Sequence, residues 1–130
     1  MNTGLALFFL SAVLFEVKHF VCDFVLQTAY QYRNKGNYGH PGGLLHAGLH
    51  TAGSLPAVLA LQAFGGLAVL VLAGEFFVHY HVDWSKEQIN KRFALSFNNN
   101  IYWSVFGADQ LLHQLTYVVI LAVLVRAAAL

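Results

Sequence analysis

The feature that most restricts the fold of this sequence is a long uncharged stretch, because no Asp, Glu, Lys or Arg occurs between Gly36 and Gly74. Across all 130 residues, 58% are hydrophobic and only 10% are charged. Soluble domains are usually about 45–50% apolar and about 25% charged. A chain this apolar would leave too much hydrocarbon in water, and we therefore expect an integral membrane protein.

Four segments are long and apolar enough to be membrane-spanning helices, since a span needs roughly 20 residues to cross a hydrocarbon core of about 30 Å. They cover about residues 4–27, 44–64, 67–83 and 108–128. The Gly65-Gly66 pair predicts a tight turn between the second and third segments. The first segment lacks the basic start and the cleavage site of a signal peptide, so we interpret it as a retained helix. The sequence thus predicts an all-α, four-helix transmembrane bundle, with residues 1–130 forming one integral membrane domain.

The distribution of basic residues predicts how this bundle is oriented. With four spans, the two polar connectors at about 28–43 and 84–107 lie on the same side of the membrane. They contain most of the basic residues outside the spans, namely Arg33, Lys35, Lys86, Lys91 and Arg92. The opposite side has only Arg126. Since basic loops stay in the cytoplasm, we expect both connectors in the cytoplasm and both termini on the non-cytoplasmic side of the membrane.

Charge and cysteine content exclude two classes of protein. A formal net charge of +1 argues against a nucleic-acid-binding protein that works through a basic surface. The single cysteine, Cys22, rules out an intrachain disulfide framework and a zinc cluster built from thiolates.

Each predicted span carries an ionisable pair whose members are four residues apart. The pairs are His19/Asp23, His46/His50, His79/Asp83 and Asp109/His113. Residues at i and i+4 lie on one face of a helix. The pairs stand near the ends of the first and third spans and near the starts of the second and fourth. In the alternating topology, all four pairs therefore lie in the cytoplasmic half of the bilayer, and we expect them to converge on one site.

A metal ion would explain this concentration of polar groups. A charged residue at the centre of a membrane helix costs about 2.5–3.5 kcal/mol on insertion scales, and binding a divalent cation can offset such a cost. Imidazole and carboxylate ligands together suit zinc, iron or manganese, and zinc is the favoured metal here. The predicted ligands are His19, Asp23, His46, His50, His79, Asp83, Asp109 and His113.

The favoured function is metal-dependent hydrolysis of a lipid-linked or amphipathic substrate at the cytoplasmic face of the bilayer. A bound cation would activate a water molecule and polarise the scissile bond. Glu75 or Asp109 is the candidate catalytic base. Lys86 or Lys35 is the candidate to hold an anionic group of the substrate.

Other interpretations of the same residues remain open. The chain could be an accessory subunit of a membrane complex that holds haem or a pigment by histidine, a proton- or ion-conducting module, or a protein whose polar core is purely structural. Four short helices argue against a self-sufficient transporter unless the chain forms a homo-oligomer or joins a larger complex. We interpret His40 and His81 as structural, and Glu16 as a residue that could pair with Lys18 or face another helix.

The motifs resemble those of an uncharacterised family of small bacterial multi-pass membrane proteins, catalogued as a domain of unknown function. The matching stretches span the chain and comprise 18–27 (KHFVCDFVLQ), 46–50 (HAGLH), His79-x3-Asp83-Trp84-x-Lys86 and 109–113 (DQLLH). The resemblance implies a multi-pass protein of the bacterial inner membrane and carries no activity.

Overall fold

The protein is entirely helical in a computed structural model that describes residues 3–128. Helix α1 covers Thr3–Phe20 and continues into a π-helical turn at Val21–Val25. The remaining helices are α2 (Ala29–Asn34), α3 (Pro41–Ala60), α4 (Gly65–Arg92) and α5 (Asn100–Ala128). The described residues contain no β-strand. The all-α prediction is confirmed.

Three helical segments are long and apolar enough to cross a membrane: Thr3–Val25, α4 and α5. Only 28% of each apolar window is buried, so most of its side chains face outward. Among residues 3–128, α3 is the long helix that does not meet this criterion. It packs against α1, α2 and α4, and this enclosure lets it carry polar side chains that lipid would not tolerate.

The four long helices pack in a closed ring, in which α1 contacts α3, α3 contacts α4, α4 contacts α5, and α5 returns to α1. An apolar core fills one end of the ring and is built around Phe15, Val58, Leu61, Tyr117 and Leu124. The rings of Phe15 and Tyr117 stack with their centroids 5.0 Å apart. Between membrane helices, close van der Waals packing rather than the removal of apolar surface from water stabilises such a core.

Local signals set the helix ends. Thr28 and Gln31 form a capping box at the start of α2, while His40 caps α3 and is followed by Pro41 in the first turn. Both arrangements satisfy backbone N–H groups that have no partner within the helix. The expected break before α4 occurs at Gly65, which has a positive φ of 59° that costs glycine little.

The helix boundaries differ most from those expected at the end of α4 and at the start of α5. Helix α4 continues nine residues beyond Asp83, to Arg92, and α5 begins eight residues before Ala108, at Asn100. A hydropathy window stops where charged residues begin, whereas a helix can continue as long as its backbone hydrogen bonds do. The connector between α4 and α5 is therefore limited to residues 93–99.

Candidate metal centre

The four i,i+4 pairs come together inside the ring of helices. The imidazole of His79 lies at the centre, with its ring centroid 3.9 Å from that of His50 and 4.1 Å from that of His113. The rings of His46 and His50 are 4.6 Å apart. The convergence of polar faces that the sequence predicts is therefore present in the structure.

Two groups of side chains in this cluster could hold a metal ion. The first consists of Asp23, His46, His50 and His79, and the second of His79, Asp83 and His113. Within each group, one ligand atom per residue lies within 4.8 Å of all the others. The groups share His79, and they include six of the eight predicted ligands.

Asp23 is the carboxylate of the first group. Its Oδ1 lies 3.1 Å from His50 Nε2 and 3.2 Å from His46 Nε2. Asp23 belongs to the π-helical turn of Val21–Val25, where Leu26 N donates to Val21 O at 2.9 Å. Turns of this kind widen a helix locally and are frequent at functional sites.

Asp83 is the carboxylate of the second group. Its Oδ1 lies 3.5 Å from His113 Nε2, and its Oδ2 lies 3.5 Å from His79 Nε2. His46 Nε2 is 3.4 Å from the same Oδ2 and connects the two groups. Two ligands of a tetrahedral zinc ion, each about 2.05 Å from the metal, are themselves about 3.3 Å apart. The distances from the carboxylate oxygens of Asp23 and Asp83 to the neighbouring imidazole nitrogens, 3.1–3.5 Å, are close to this value.

Several imidazole nitrogens of the cluster are buried and form no hydrogen bond with the described residues. They are His46 Nδ1 and Nε2, His50 Nδ1, and His79 Nδ1 and Nε2. Buried polar atoms are nearly always hydrogen-bonded, and each neutral imidazole has one nitrogen with a free lone pair. The donor set of nitrogen and carboxylate oxygen therefore fits a divalent cation of the zinc, iron or manganese type.

His19 and Asp109 were also expected to be metal ligands, but neither belongs to the two groups. His19 Nδ1 is 2.8 Å from Tyr117 Oη, and its Nε2 is 3.0 Å from Gln110 Oε1 and 3.1 Å from Asp23 Oδ2. With both nitrogens so occupied, His19 is placed to orient Asp23 rather than to bind an ion directly.

Asp109 borders the second group. Its Oδ1 is 3.6 Å from His113 Nε2, and its Oδ2 lies 3.5 Å from Lys86 Nζ. Gln110 donates from Nε2 both to Asp109 Oδ2, at 3.2 Å, and to Asp23 Oδ2, at 3.3 Å. This amide therefore connects Asp109 to Asp23 of the first group.

Two lysines from outside the His/Asp pairs reach the cluster. Lys35 Nζ lies 3.1 Å from Asp83 Oδ2, and only 5% of Lys35 is exposed. A Cβ atom at Gly42 would lie 2.7 Å from the Tyr30 carbonyl oxygen, so glycine there lets α2 approach α3 closely and brings Lys35 inward. Lys86 lies 3.9 Å from Asp83 Oδ1.

Lys18 and Glu75 form a buried ion pair that the sequence analysis missed. Lys18 Nζ donates to Glu75 Oε1, and Ser54 Oγ donates to the same oxygen at 2.8 Å. Lys18 therefore does not pair with Glu16. The missed signal is the helical spacing of Ser11, Phe15, Lys18 and Cys22, all of which are buried.

The two remaining histidines have structural surroundings. His40 Nδ1 accepts a hydrogen bond from Gly42 N at 3.0 Å. His81 Nδ1 is 2.7 Å from the Phe77 carbonyl oxygen, and its Nε2 is 3.1 Å from Tyr38 Oη. Neither belongs to the two groups.

A polar cavity of about 310 Å³ opens beside Asp23. Its lining includes Gln27, Lys35, Lys86 and Asn90. The amide oxygens of Gln27 and Asn90 are buried and accept no hydrogen bond from the described residues. The cavity thus gives a small polar molecule access to Asp23 and offers it both cationic and acceptor groups.

Comparison with known proteins gives a family and nothing more specific. No curated protein matches the chain, and no solved structure matches it. A protein-family model matches residues 10–130, which is nearly the whole sequence. The chain therefore belongs to the family described as Protein of unknown function (DUF3307).

Proposed function

We propose that this protein is a membrane-embedded metal-binding protein that acts as a metal-dependent hydrolase on a lipid-linked or amphipathic substrate. The observation that carries the proposal is a set of three buried imidazoles grouped around Asp23 and Asp83, those of His46, His50 and His79, which have five nitrogens that form no hydrogen bond with the described residues. A cation would take up the one lone pair of each neutral ring and offset the cost of placing carboxylates in an apolar bundle.

Zinc is the metal that we favour, with iron and manganese as alternatives. Zinc sites combine histidine and carboxylate ligands, and the cluster offers no thiolate: Cys22, the sole cysteine, is outside both groups. His79 belongs to both groups, and a neutral imidazole has one lone pair to give, so His79 would bind one ion. A second ion would be held by the remaining ligands of the other group.

The chain's own residues suit hydrolysis. A bound divalent cation would supply Lewis-acid polarisation of the scissile bond and activation of water. Asp109 is our candidate for the base, because its Oδ1 accepts no hydrogen bond from the described residues. Glu75 Oε2 likewise accepts no hydrogen bond from the described residues. Glu75 is less suited as the base because its carboxylate is paired with Lys18, whereas Asp109 Oδ1 lies 3.6 Å from His113 Nε2 of the second group. Lys86 would hold an anionic group of the substrate.

The proposed location is the cytoplasmic half of a bacterial inner membrane, with α3 as the fourth span of a transmembrane bundle. The 20 residues of α3 give a length of about 30 Å, which equals the thickness of the hydrocarbon core. Arg33, Lys91 and Arg92 are exposed at one end of the bundle and Arg126 at the other. This excess of exposed basic residues at the end that carries the connectors supports a cytoplasmic position for that end and a non-cytoplasmic position for both termini.

Elemental analysis of the protein, purified in detergent without chelator, tests the metal-binding proposal. We expect one or two equivalents of zinc, iron or manganese, no Soret absorption band, and loss of the metal in His50→Ala. Metal-free protein would contradict the proposal, and a Soret band would instead favour the accessory haem subunit. Hydrolysis is tested by a panel of long-chain esters and phosphate esters, with activity lost on chelation and restored by the metal.

A proton-conducting module is the second candidate. It is supported by the continuation of polar side chains from the His/Asp cluster to Lys18 and Glu75, deeper in the bundle. Proton flux through the protein in liposomes, without bound metal, would favour this alternative over the hydrolase.

A further inference from the structure

An apolar groove runs along the outer surface between α4 and α5. It has a volume of about 380 Å³ and is lined mainly by hydrocarbon side chains, including Phe77, Ile89, Val105 and Leu112. Small-molecule sites usually have volumes of about 300–1,000 Å³, so the groove is of a size for one hydrocarbon chain. Two charged residues, Lys86 and Asp109, also line it.

The groove is continuous with the candidate metal centre through these two residues. Lys86 lines both the apolar groove and the polar cavity beside Asp23. Its Nζ lies 3.5 Å from Asp109 Oδ2 and 3.9 Å from Asp83 Oδ1. A molecule whose tail lies in the groove would therefore place its polar end next to the second metal-binding group.

We propose that this groove binds the hydrocarbon tail of a single-chain amphiphile whose anionic headgroup lies against Lys86. The assignment of this amphiphile as the substrate rests on the proposed function, whereas the tail site itself does not. Lys86 also has Glu87 within 3.7 Å, and Lys35, which lines the same polar cavity, offsets part of the surrounding negative charge. The ammonium group of Lys86 would bind a phosphate or a carboxylate as a point charge.

A second groove provides a control within the same molecule. It has a similar volume of about 360 Å³ and is lined by Phe8, Val118, Leu121, Ala122, Val125 and Arg126. It shares α5 with the first groove but does not include Lys86 or Asp109. Ala108 in the first groove and Ala122 in the second are both exposed, so a tryptophan at either position would fill its own groove.

The test is photo-crosslinking of the full chain in phosphatidylcholine nanodiscs. The probes are a long-chain alkyl phosphate, the matching alkyl carboxylate and the matching neutral alcohol, each with a photoreactive group on the chain. We expect the anionic probes to crosslink to α4 and α5 along the first groove, roughly tenfold more than the alcohol, equivalent to about 1.4 kcal/mol. Ala108→Trp should abolish this preference, Ala122→Trp should preserve it, and Lys86→Gln should bring the anionic probes down to the level of the alcohol.

Equal labelling by the neutral alcohol would show that the groove holds ordinary lipid and would overturn the proposal. The proposal would also be overturned if Ala108→Trp and Ala122→Trp reduced the preference for anionic probes equally. Crosslinks formed mainly between two copies of the chain would overturn it as well. The crosslinking sites in the unsubstituted protein test the proposal even if a variant fails to fold. Metal content is measured on the same samples: selective labelling without metal rejects the metal centre alone, and metal without selective labelling rejects the tail site alone.

Discussion

Lys18 of α1 and Glu75 of α4 form an ion pair inside the bundle, where their exposed fractions are 7% and 1%. Lys18 Nζ also donates to the His50 carbonyl oxygen at 3.2 Å. Glu75 is four residues before His79, so the pair lies about one helical turn from the His/Asp cluster. The ion pair thus joins α1, α3 and α4 immediately next to the candidate metal ligands.

Removing one partner of this ion pair should destabilise the protein strongly. Lys18→Met leaves Glu75 buried without its cation, a change that costs about 3–5 kcal/mol in buried ion pairs. We expect a clear drop in the midpoint of thermal unfolding in detergent. The double variant Lys18→Met/Glu75→Gln should recover most of the loss, because it leaves no unpaired charge. A double variant no more stable than the single one would contradict this account.

His79 should be essential for metal binding, because it belongs to both groups of candidate ligands. We expect His79→Ala to lower the metal content of the purified protein by roughly tenfold or more, a loss of at least about 1.4 kcal/mol. His81→Ala is the matched control, since His81 is on the same helix and outside both groups. Loss of metal in both variants, or in neither, would refute the assignment of His79.

His19 should tune the metal affinity without changing the number of ions bound. Its contacts with Tyr117, Gln110 and Asp23 place it beside a ligand, and loss of such a partner typically weakens metal binding by about 10–100-fold. We expect His19→Ala to reach full stoichiometry at a higher metal concentration, measured by titration against a competing chelator. Tyr117→Phe should give a smaller shift in the same direction. A reduced stoichiometry at saturation would make His19 a direct ligand.

The four-span topology predicts that residues 28–40 and 93–99 lie on the same side of the membrane. In a Cys22→Ser background, which removes the sole cysteine, cysteines introduced at Gly39 and at Asn98 should react equally with a membrane-impermeant thiol reagent in sealed inner-membrane vesicles of inverted orientation. A tag at the C-terminus should be protected there. Opposite labelling of Gly39→Cys and Asn98→Cys would mean that α3 does not span the bilayer.

The polar pairs show how far local spacing predicts a site. An i,i+4 spacing places two side chains on one helical face, and faces that are too polar for lipid turn toward one another. For this reason the clustering of His46, His50, His79 and Asp83 follows from the sequence. The same rule could not separate candidate ligands from their neighbours, because His19 and Asp109 have the same spacing as the others.

Contacts between segments that are distant in the sequence explain why some residues of the site have surroundings other than those predicted. Whether Lys35 lies at a membrane surface or against Asp83 depends on how closely α2 packs on α3, which is set at Gly42. Likewise, Glu75 was a plausible base until the packing of α1 on α4 placed Lys18 against it. Hydropathy does not contain this information, since it averages over residues that are neighbours only along the chain.

The sequence alone determined the helical class, three of the four apolar spans and the presence of one shared polar face on each long helix, since these depend on composition and on the periodicity of the α-helix. Tertiary packing decided which of those polar atoms are hydrogen-bonded and which are buried without a hydrogen bond from the described residues. That distinction depends on separations of a few ångströms between side chains from different helices, and it is what distinguishes a candidate ligand from the residue that supports it.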